Sequence, residues 1–308
     1  MPVKKVNKAS GMIAMTAVVL IYGVSYISRE AIGKALTPAQ ILTIQMTIMA
    51  VFFGLYNLIA RKSFKLKKKD IVWVIASGLF GTTFFHGFTL LSVNSLGATV
   101  SSLLYGFAAA FALMIEILLY HRKKTVLGIS SIIVSLIGIF ILMDMDLEDL
   151  ASTNFMGYLL GLASVVAWVV YTFLCQKITG DYPQTVLLSY QAIVGVVTTL
   201  PLLLLEMPSF AGLSDPMILL HMLFLGFFNS SIAYFLNMYA IQRIGVTLSN
   251  LFLNFLPVVT MVMAIILYGQ LPTAKQVIGG ALVIVSVFML NKDQKNLDSA
   301  AAAQKENA

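Results

Sequence analysis

Charge is what this sequence has least of. Only 11% of the 308 residues are Asp, Glu, Lys or Arg, while 59% are hydrophobic; an ordinary soluble domain is about 25% charged. That balance excludes a soluble enzyme, a disordered chain and a nucleic-acid-binding module, none of which has so little polar surface. Cysteine is nearly missing too. The single Cys175 lies in an apolar run, so no intramolecular disulfide forms, and it reads as an inert core residue. There is no GxxxxGK[ST] phosphate loop, which leaves an ATP-driven pump unsupported. HExxH, Cys/His metal clusters and GxSxG elbows are also lacking, so nothing points to a cofactor.

What is there instead is ten long apolar stretches between charged or Pro/Gly breaks: Gly11–Ile27, Ala39–Ala60, Ile71–Leu91, Ala98–Tyr120, Val126–Met143, Phe155–Gln176, Gln184–Leu205, Met217–Ile241, Val246–Tyr268 and Thr273–Leu290. Each is close to the roughly 20 residues needed to cross a bilayer core. None alternates with period two like a barrel strand. Because lipid offers no hydrogen-bond partner, such spans must be helices. The basic start, Lys4, Lys5 and Lys8, precedes a run long enough to span and is followed by Ser28-Arg29-Glu30, not a small-residue cleavage site.

Basic residues set the expected sidedness. With the N-terminus inside, 17 of the 20 Lys and Arg fall in inner segments, and only Arg29, Lys34 and Lys275 fall outside. The cluster Arg61–Lys69 is the largest inner group, and the acidic run Asp144–Asp149 falls outside. The reading is a multi-pass protein of the cell (inner) membrane with both termini cytoplasmic. Its expected organisation is a cytoplasmic segment 1–10, a five-helix unit 11–143, an extracytoplasmic linker 144–154, a second five-helix unit 155–290 and a disordered cytoplasmic tail 291–308.

The two units resemble each other. Asp70…Gly81 aligns with Asp215…Gly226 at an offset of 145, and Gly97-Ala98-Thr99-Val100-Ser101 with Gly245-Val246-Thr247-Leu248-Ser249 at 148. Tyr22 pairs with Trp168, and Gln45 with Gln191, at 146. Five helices is an odd number, so the second unit enters the membrane upside down. The expected fold class is therefore an all-α membrane protein of ten transmembrane helices in two inverted five-helix repeats, an architecture of secondary transporters.

The stretches Asn237-Met238-Tyr239-Ala240-Ile241…Gly245…Ser249, Pro257-Val258-Val259, Tyr268-Gly269 and Gln276–Leu282 resemble the ten-helix, EamA-type members of the drug/metabolite transporter superfamily, over about Gly11 to Leu290. Where that family usually carries Gly-Glu at the ends of the fourth and ninth helices, this chain has His121-Arg122 and Gly269-Gln270. Pro257 has no first-unit mate, since the offset lands on Ala109. The resemblance implies transport of amino acids, other metabolites or drugs through a cavity formed by helices 1, 3, 4, 6, 8 and 9.

Polar and aromatic residues in those helices are the candidate solute contacts: Tyr22 and Tyr26, Thr82 and His86, Ser102 and Tyr105, Trp168 and Tyr171, Asn229 and Tyr234, and Asn250 and Asn254. An aromatic and amide lining suits a neutral, zwitterionic or weakly cationic organic solute. Each has a plainer alternative. Ser and Thr back-bond to their own helices, aromatics serve as core or interfacial belt, and the two asparagines, one turn apart, act as interhelical glue. His86 is the candidate proton carrier, with a neutral, hydrogen-bonded histidine as its alternative. Glu116 is a second candidate coupling acid, with an inner salt bridge as its rival role. Gly157…Gly161 is a GxxxG, which fits packing within a monomer or a homodimer equally well. The leading function is a secondary transporter, exporter or exchanger, of small organic metabolites such as amino acids, amines or drugs. The alternative is an integral membrane enzyme acting on lipid or isoprenoid.

Overall fold

A computed structural model describes residues 8–119, 125–143, 155–269 and 273–306. The acidic linker 144–154, the His121-Arg122 pair, Gln270 and the first seven residues lie outside these. All regular structure among the described residues is helical: α1 (Lys8–Ile32), α2 (Pro38–Ile59), α3 (68–96), α4 (98–119), α5 (Val126–Met143), α6 (Phe155–Ile178), α7 (Gln184–Glu206), α8 (Pro216–Ile244), α9 (246–268) and α10 (Ala274–Glu306). Among them eight helical stretches are long and apolar enough to cross a membrane, and Val126–Ile141 is a shorter apolar one. One of the eight, Lys68–Leu119, runs 52 residues. It comprises α3 and α4, divided at Gly97, whose φ of 79° and ψ of 168° are not helical.

Local chemistry sets several boundaries. Thr37 Oγ1 accepts from the Gln40 N–H at 3.3 Å, and Gln40 Oε1 accepts from the Thr37 N–H at 2.9 Å. This capping box, with Pro38 in the first turn, starts α2. Asp215 caps α8 through the Met217 N–H at 2.8 Å, again with a proline following. The break between α3 and α4 is shorter than the sequence suggests: helix persists through Ser92–Leu96, and Gly97 alone makes the turn. The Glu30 carboxylate then accepts the Ala98 N–H at 2.8 Å, capping α4 with a residue from α1. α1 runs to Ile32, past the expected Ile27. α10 continues to Glu306, in place of the expected disordered tail. The run Ala300–Ala303 followed by Gln, Lys and Glu is built of strong helix formers, which offset its polarity.

The repeat is written in the backbone. Gly97 and Gly245 share the same rare conformation, φ 79° and ψ 168° against φ 80° and ψ 169°. A π-helical segment, Leu79–Phe84 in α3 and Phe224–Ile232 in α8, ends 13 residues before each glycine. About two turns of α-helix past each glycine comes a tight 3-10 turn, Leu104–Phe107 and Leu253–Phe255. Pro257 breaks the correspondence harmlessly, at the start of the α-helical turn that follows Phe255. Packing follows the same symmetry: α1 lies on α8 as α6 lies on α3, α2 packs on its mate α7, and α5 on its mate α10. The GxxxG of α6 is spent inside the chain. A Cβ at Gly157 would meet Ser95 and Leu96, and one at Gly161 would meet Leu104 and Ser92.

Two of the connections expected on the same face, between α2 and α3 and between α6 and α7, touch each other at one end of the bundle. Lys67 Nζ donates to Asp181 at 3.2 Å, the Tyr182 hydroxyl to Asp70 at 2.6 Å, and the Tyr190 hydroxyl to the Phe64 carbonyl at 2.6 Å. The Asp181 carboxylate beside it holds the exposed Lys67 ammonium above the usual lysine range. At the opposite end Thr37 donates to Glu206 at 2.7 Å and Gln40 to the Ser209 carbonyl at 2.8 Å.

Candidate functional site

The centre of the bundle is a cluster of rings. Trp168, fully buried on α6, touches Tyr22 edge-on at 5.5 Å between centroids, Phe85 at 4.8 Å, Tyr171 at 5.2 Å, Tyr234 at 5.6 Å and Tyr105 at 6.4 Å. Tyr26 joins through Tyr105 at 6.2 Å. The spacing of Tyr22 and Tyr26 puts both on one face of α1. The Trp168 Nε1–H donates to Asn250 Oδ1 at 3.1 Å, and Asn250 Nδ2 donates to Thr172 at 3.2 Å. The centre lies on the pseudo-symmetry: Tyr22 and Trp168 are repeat mates in contact, and so are His86 and Tyr234, 148 positions apart, stacked at 5.5 Å.

A residue that charge counting places outside completes the cluster. Arg29 is 1% exposed and stands inside the bundle, not in a loop. Helical side chains lean toward the N-terminus of their helix, so its long stem carries the guanidinium back toward Tyr26 and Tyr22. Its Nη2 donates to His86 Nδ1 at 2.8 Å. On the other side of the ring, His86 Nε2 lies 2.9 Å from the Tyr234 hydroxyl, which itself donates to the Gly81 carbonyl. A guanidinium has only donors, so Nδ1 must accept. The Tyr234 proton is committed to Gly81, so Nε2 must carry the ring proton and donate. This arrangement suits a neutral His86 with its proton on Nε2. The close approach at Gly81 requires glycine: a Cβ there would run into the Tyr171 ring.

Other expected residues are placed differently. Thr82 bonds back to the Gly78 carbonyl at 2.6 Å, and Ser102 to the Thr99 carbonyl at 2.7 Å. Asn250 and Asn254 do not act together. Asn254 sits in the 3-10 turn Leu253–Phe255, and its Nδ2 donates to Ser135 on α5 at 3.2 Å. Asn229 is buried in the widened part of α8 with its Nδ2 unbonded. Glu116 is half-buried, 11 residues beyond Tyr105, which is about 16 Å along α4. His221 is half-buried, its Nδ1 3.1 Å from Ser28 Oγ.

The ring cluster is tightly packed. The large cavity lies elsewhere, about 760 Å³ at the end of the bundle that holds Lys62, Gln176, Tyr182, Gln184, Gln242 and Arg243. A smaller apolar cavity of about 240 Å³, with Phe52 and Phe53, adjoins it through the shared Tyr56, Thr185 and Phe235. None of the twelve candidate contacts lines either one. Among the described residues no group of three His, Cys, Asp or Glu side chains is arranged to hold a metal.

Sequence reasoning missed Arg29 because Glu30 beside it and the adjacent polar turn read as a loop. The available signal was spacing: positions 22, 26 and 29 fall on one helical face.

A two-unit bundle of long apolar helices defines the class: a multi-pass membrane protein. The EamA-like transporter family matches residues 9–144 and 155–292, one match per repeat, and the chain belongs to that family. An uncharacterized transporter of Archaeoglobus fulgidus is 23% identical over 278 residues, covering 90% of this chain and 97% of that one. One of Clostridium kluyveri is 26% identical over 304 residues, covering 94% and 97%. A probable terminal-alkyne amino-acid exporter of Streptantibioticus cattleyicolor is 30% identical over 131 residues, covering 42% of this chain and 44% of that one. A solved structure, 17% identical, superposes with a TM-score of 0.73 over 92% of this chain and 98% of its own, which is a likeness of fold.

Proposed function

We propose that this chain is a secondary transporter of small organic solutes, amino acids foremost, working by alternating access in the cell membrane with both termini cytoplasmic. In this reading the arms α3 and α4 are separate crossings, ten crossings form two inverted units, and the ring cluster is the solute site. The observation that carries it is the contact of repeat mates, Tyr22 with Trp168 and His86 with Tyr234, where the two units meet. A site built equally from two units that rock against each other can face either side. The amino-acid exporter among the relatives supports the solute class. The rival reading, a lipid or isoprenoid enzyme, gains no support from the family or the named relatives.

The present conformation fits a state in which the site is shut while the basic end stands open at the 760 Å³ cavity. Of the two coupling candidates, His86 belongs to the site and Glu116 stands apart from it. The titratable and charged groups facing His86 are Arg29 from α1 and Tyr234 from α8.

The test is flux. Purified protein in proteoliposomes should exchange amino acids from a panel that also contains amines and cationic drugs. Trp168→Ala should weaken apparent affinity at least tenfold. Absence of flux for the whole panel would end the transporter reading, and unchanged affinity in the variant would move the site elsewhere.

A further inference from the structure

We propose that Arg29 is the anchor for a carboxylate, and that the solutes of this site are organic acids with an aromatic or apolar body. The inference rests on the ring cluster being the solute site.

The guanidinium is 1% exposed, yet only one of its three nitrogens is hydrogen-bonded. Nη2 reaches His86, while Nε and Nη1 have no partner. No carboxylate among the described residues pairs with Arg29. Its neighbour Glu30 is committed to the Ala98 N–H, and the groups in electrostatic reach are the hydroxyls of Tyr22, Tyr26, Tyr105 and Tyr234. A buried cation is normally paired, because taking it out of water without an opposing charge is costly. Here the chain leaves the opposing charge out.

The free donors have the right geometry for a carboxylate. With one Nη2 N–H spent on His86, the second Nη2 N–H lies beside either Nε or Nη1, and each of those two sides of a planar guanidinium can engage both oxygens of a carboxylate. Two further buried hydroxyls nearby, on Tyr22 and Tyr105, also lack partners and can donate to the same anion. The rings of Trp168, Tyr22, Tyr105 and Phe85 offer an apolar, stacking surface for the remainder of the solute. Symmetry supports a ligand role over a packing role. At the offset that pairs Tyr22 with Trp168, the mate of Arg29 is Cys175, which is uncharged, buried and close to Gln191. The fold therefore packs this position without a charge in one unit and carries a cation in the other. The unopposed cation also reverses one expectation drawn from the aromatic lining: it disfavours amines and cationic drugs.

The experiment uses the full-length protein in detergent, with 3-phenylpropionate and 3-phenylpropionamide as matched probes, L-phenylalanine as the zwitterionic arm and phenylethylamine as the cationic arm. Thermal melting and tryptophan fluorescence read binding. The carboxylate and phenylalanine should bind at least tenfold more tightly than the amide and the amine. Arg29→Gln should abolish that preference, and Arg29→Lys should restore part of it. Equal binding of acid and amide to the wild type, or no acid binding, overturns the proposal without any variant having to fold. Retained preference in a folded Arg29→Gln overturns it as well. The same four probes in proteoliposomes separate the two readings. Flux of the amine with no acid binding sinks the carboxylate anchor and leaves transport standing. Arg29-dependent acid binding with no flux of any probe sinks transport and leaves the anchor standing.

Discussion

Removing His86 should harm the protein more than removing His86 and Arg29 together. The ring accepts one bond from the guanidinium at 2.8 Å and shares another with Tyr234 at 2.9 Å. A hydrogen bond to a charged group contributes about 1.5–3 kcal/mol and a neutral one about 1 kcal/mol. His86→Leu, which roughly keeps the volume, should therefore destabilise by about 3 kcal/mol and strand the guanidinium entirely. Arg29→Met behaves otherwise. It removes two buried nitrogens without partners, Nε and Nη1, and strands one acceptor, each of these carrying a penalty of about 1–3 kcal/mol. Its net effect should lie between neutral and stabilising. The double variant should then be more stable than His86→Leu alone by about 2 kcal/mol, the signature of a buried charge whose partner has been taken away. These are upper values, because an unfolded chain in a membrane-like medium also finds partners. Reversible unfolding in mixed micelles reads all four corners of the cycle. The reasoning is refuted if Arg29→Met alone costs about 3 kcal/mol or more, or if the double variant is no better than His86→Leu.

Other consequences are open to direct measurement. Gly97 and Gly245 occupy a region that only glycine enters easily, so alanine at either should cost about 1–3 kcal/mol, and similar losses at the two sites would confirm their equivalence. Cys175 is buried, so cysteines introduced at Ser63 and Ser209 can be labelled in an otherwise native chain. A membrane-impermeant reagent should reach Ser209→Cys from outside intact cells and not Ser63→Cys, and labelling of both from one side would refute the ten-crossing topology. The Lys67–Asp181 contact at the basic end is exposed, 3.2 Å apart, with the lysine held above its usual range. A raised lysine keeps its contribution below the unfolded value and loses it only as pH climbs through the higher folded one. Melting of wild type and Asp181→Asn should therefore differ by the same small amount at pH 7 and pH 9, converge at higher pH, and converge in high salt.

The helices, the repeat and the polar candidates are legible in the order of residues alone, because lipid allows few alternatives. A long apolar run must satisfy its backbone internally and so becomes a helix, and Gly97 with Gly245 marks the two units by residue type. Tyr22 and Trp168 are paired by the repeat offset; the pairing of His86 with Tyr234 emerges only once the longer π-helical segment of α8 shifts the offset from 145 to 148. What one chain's periodicity does not supply is how each helix is rotated against the others. That rotation decides that Asn250 bonds Trp168 and Thr172 while Asn254, one turn on, faces Ser135. It decides that Thr82 and Ser102 bond within their own helices. It also turns Arg29, which in sequence looks like a charge at a helix end, into a buried cation bonded to His86. The sequence by itself set the helical character of the apolar runs through the solvent they must cross. Only their tertiary packing brought α1, α3, α6 and α8 together closely enough for one guanidinium, one imidazole and a ring of aromatics to share a site.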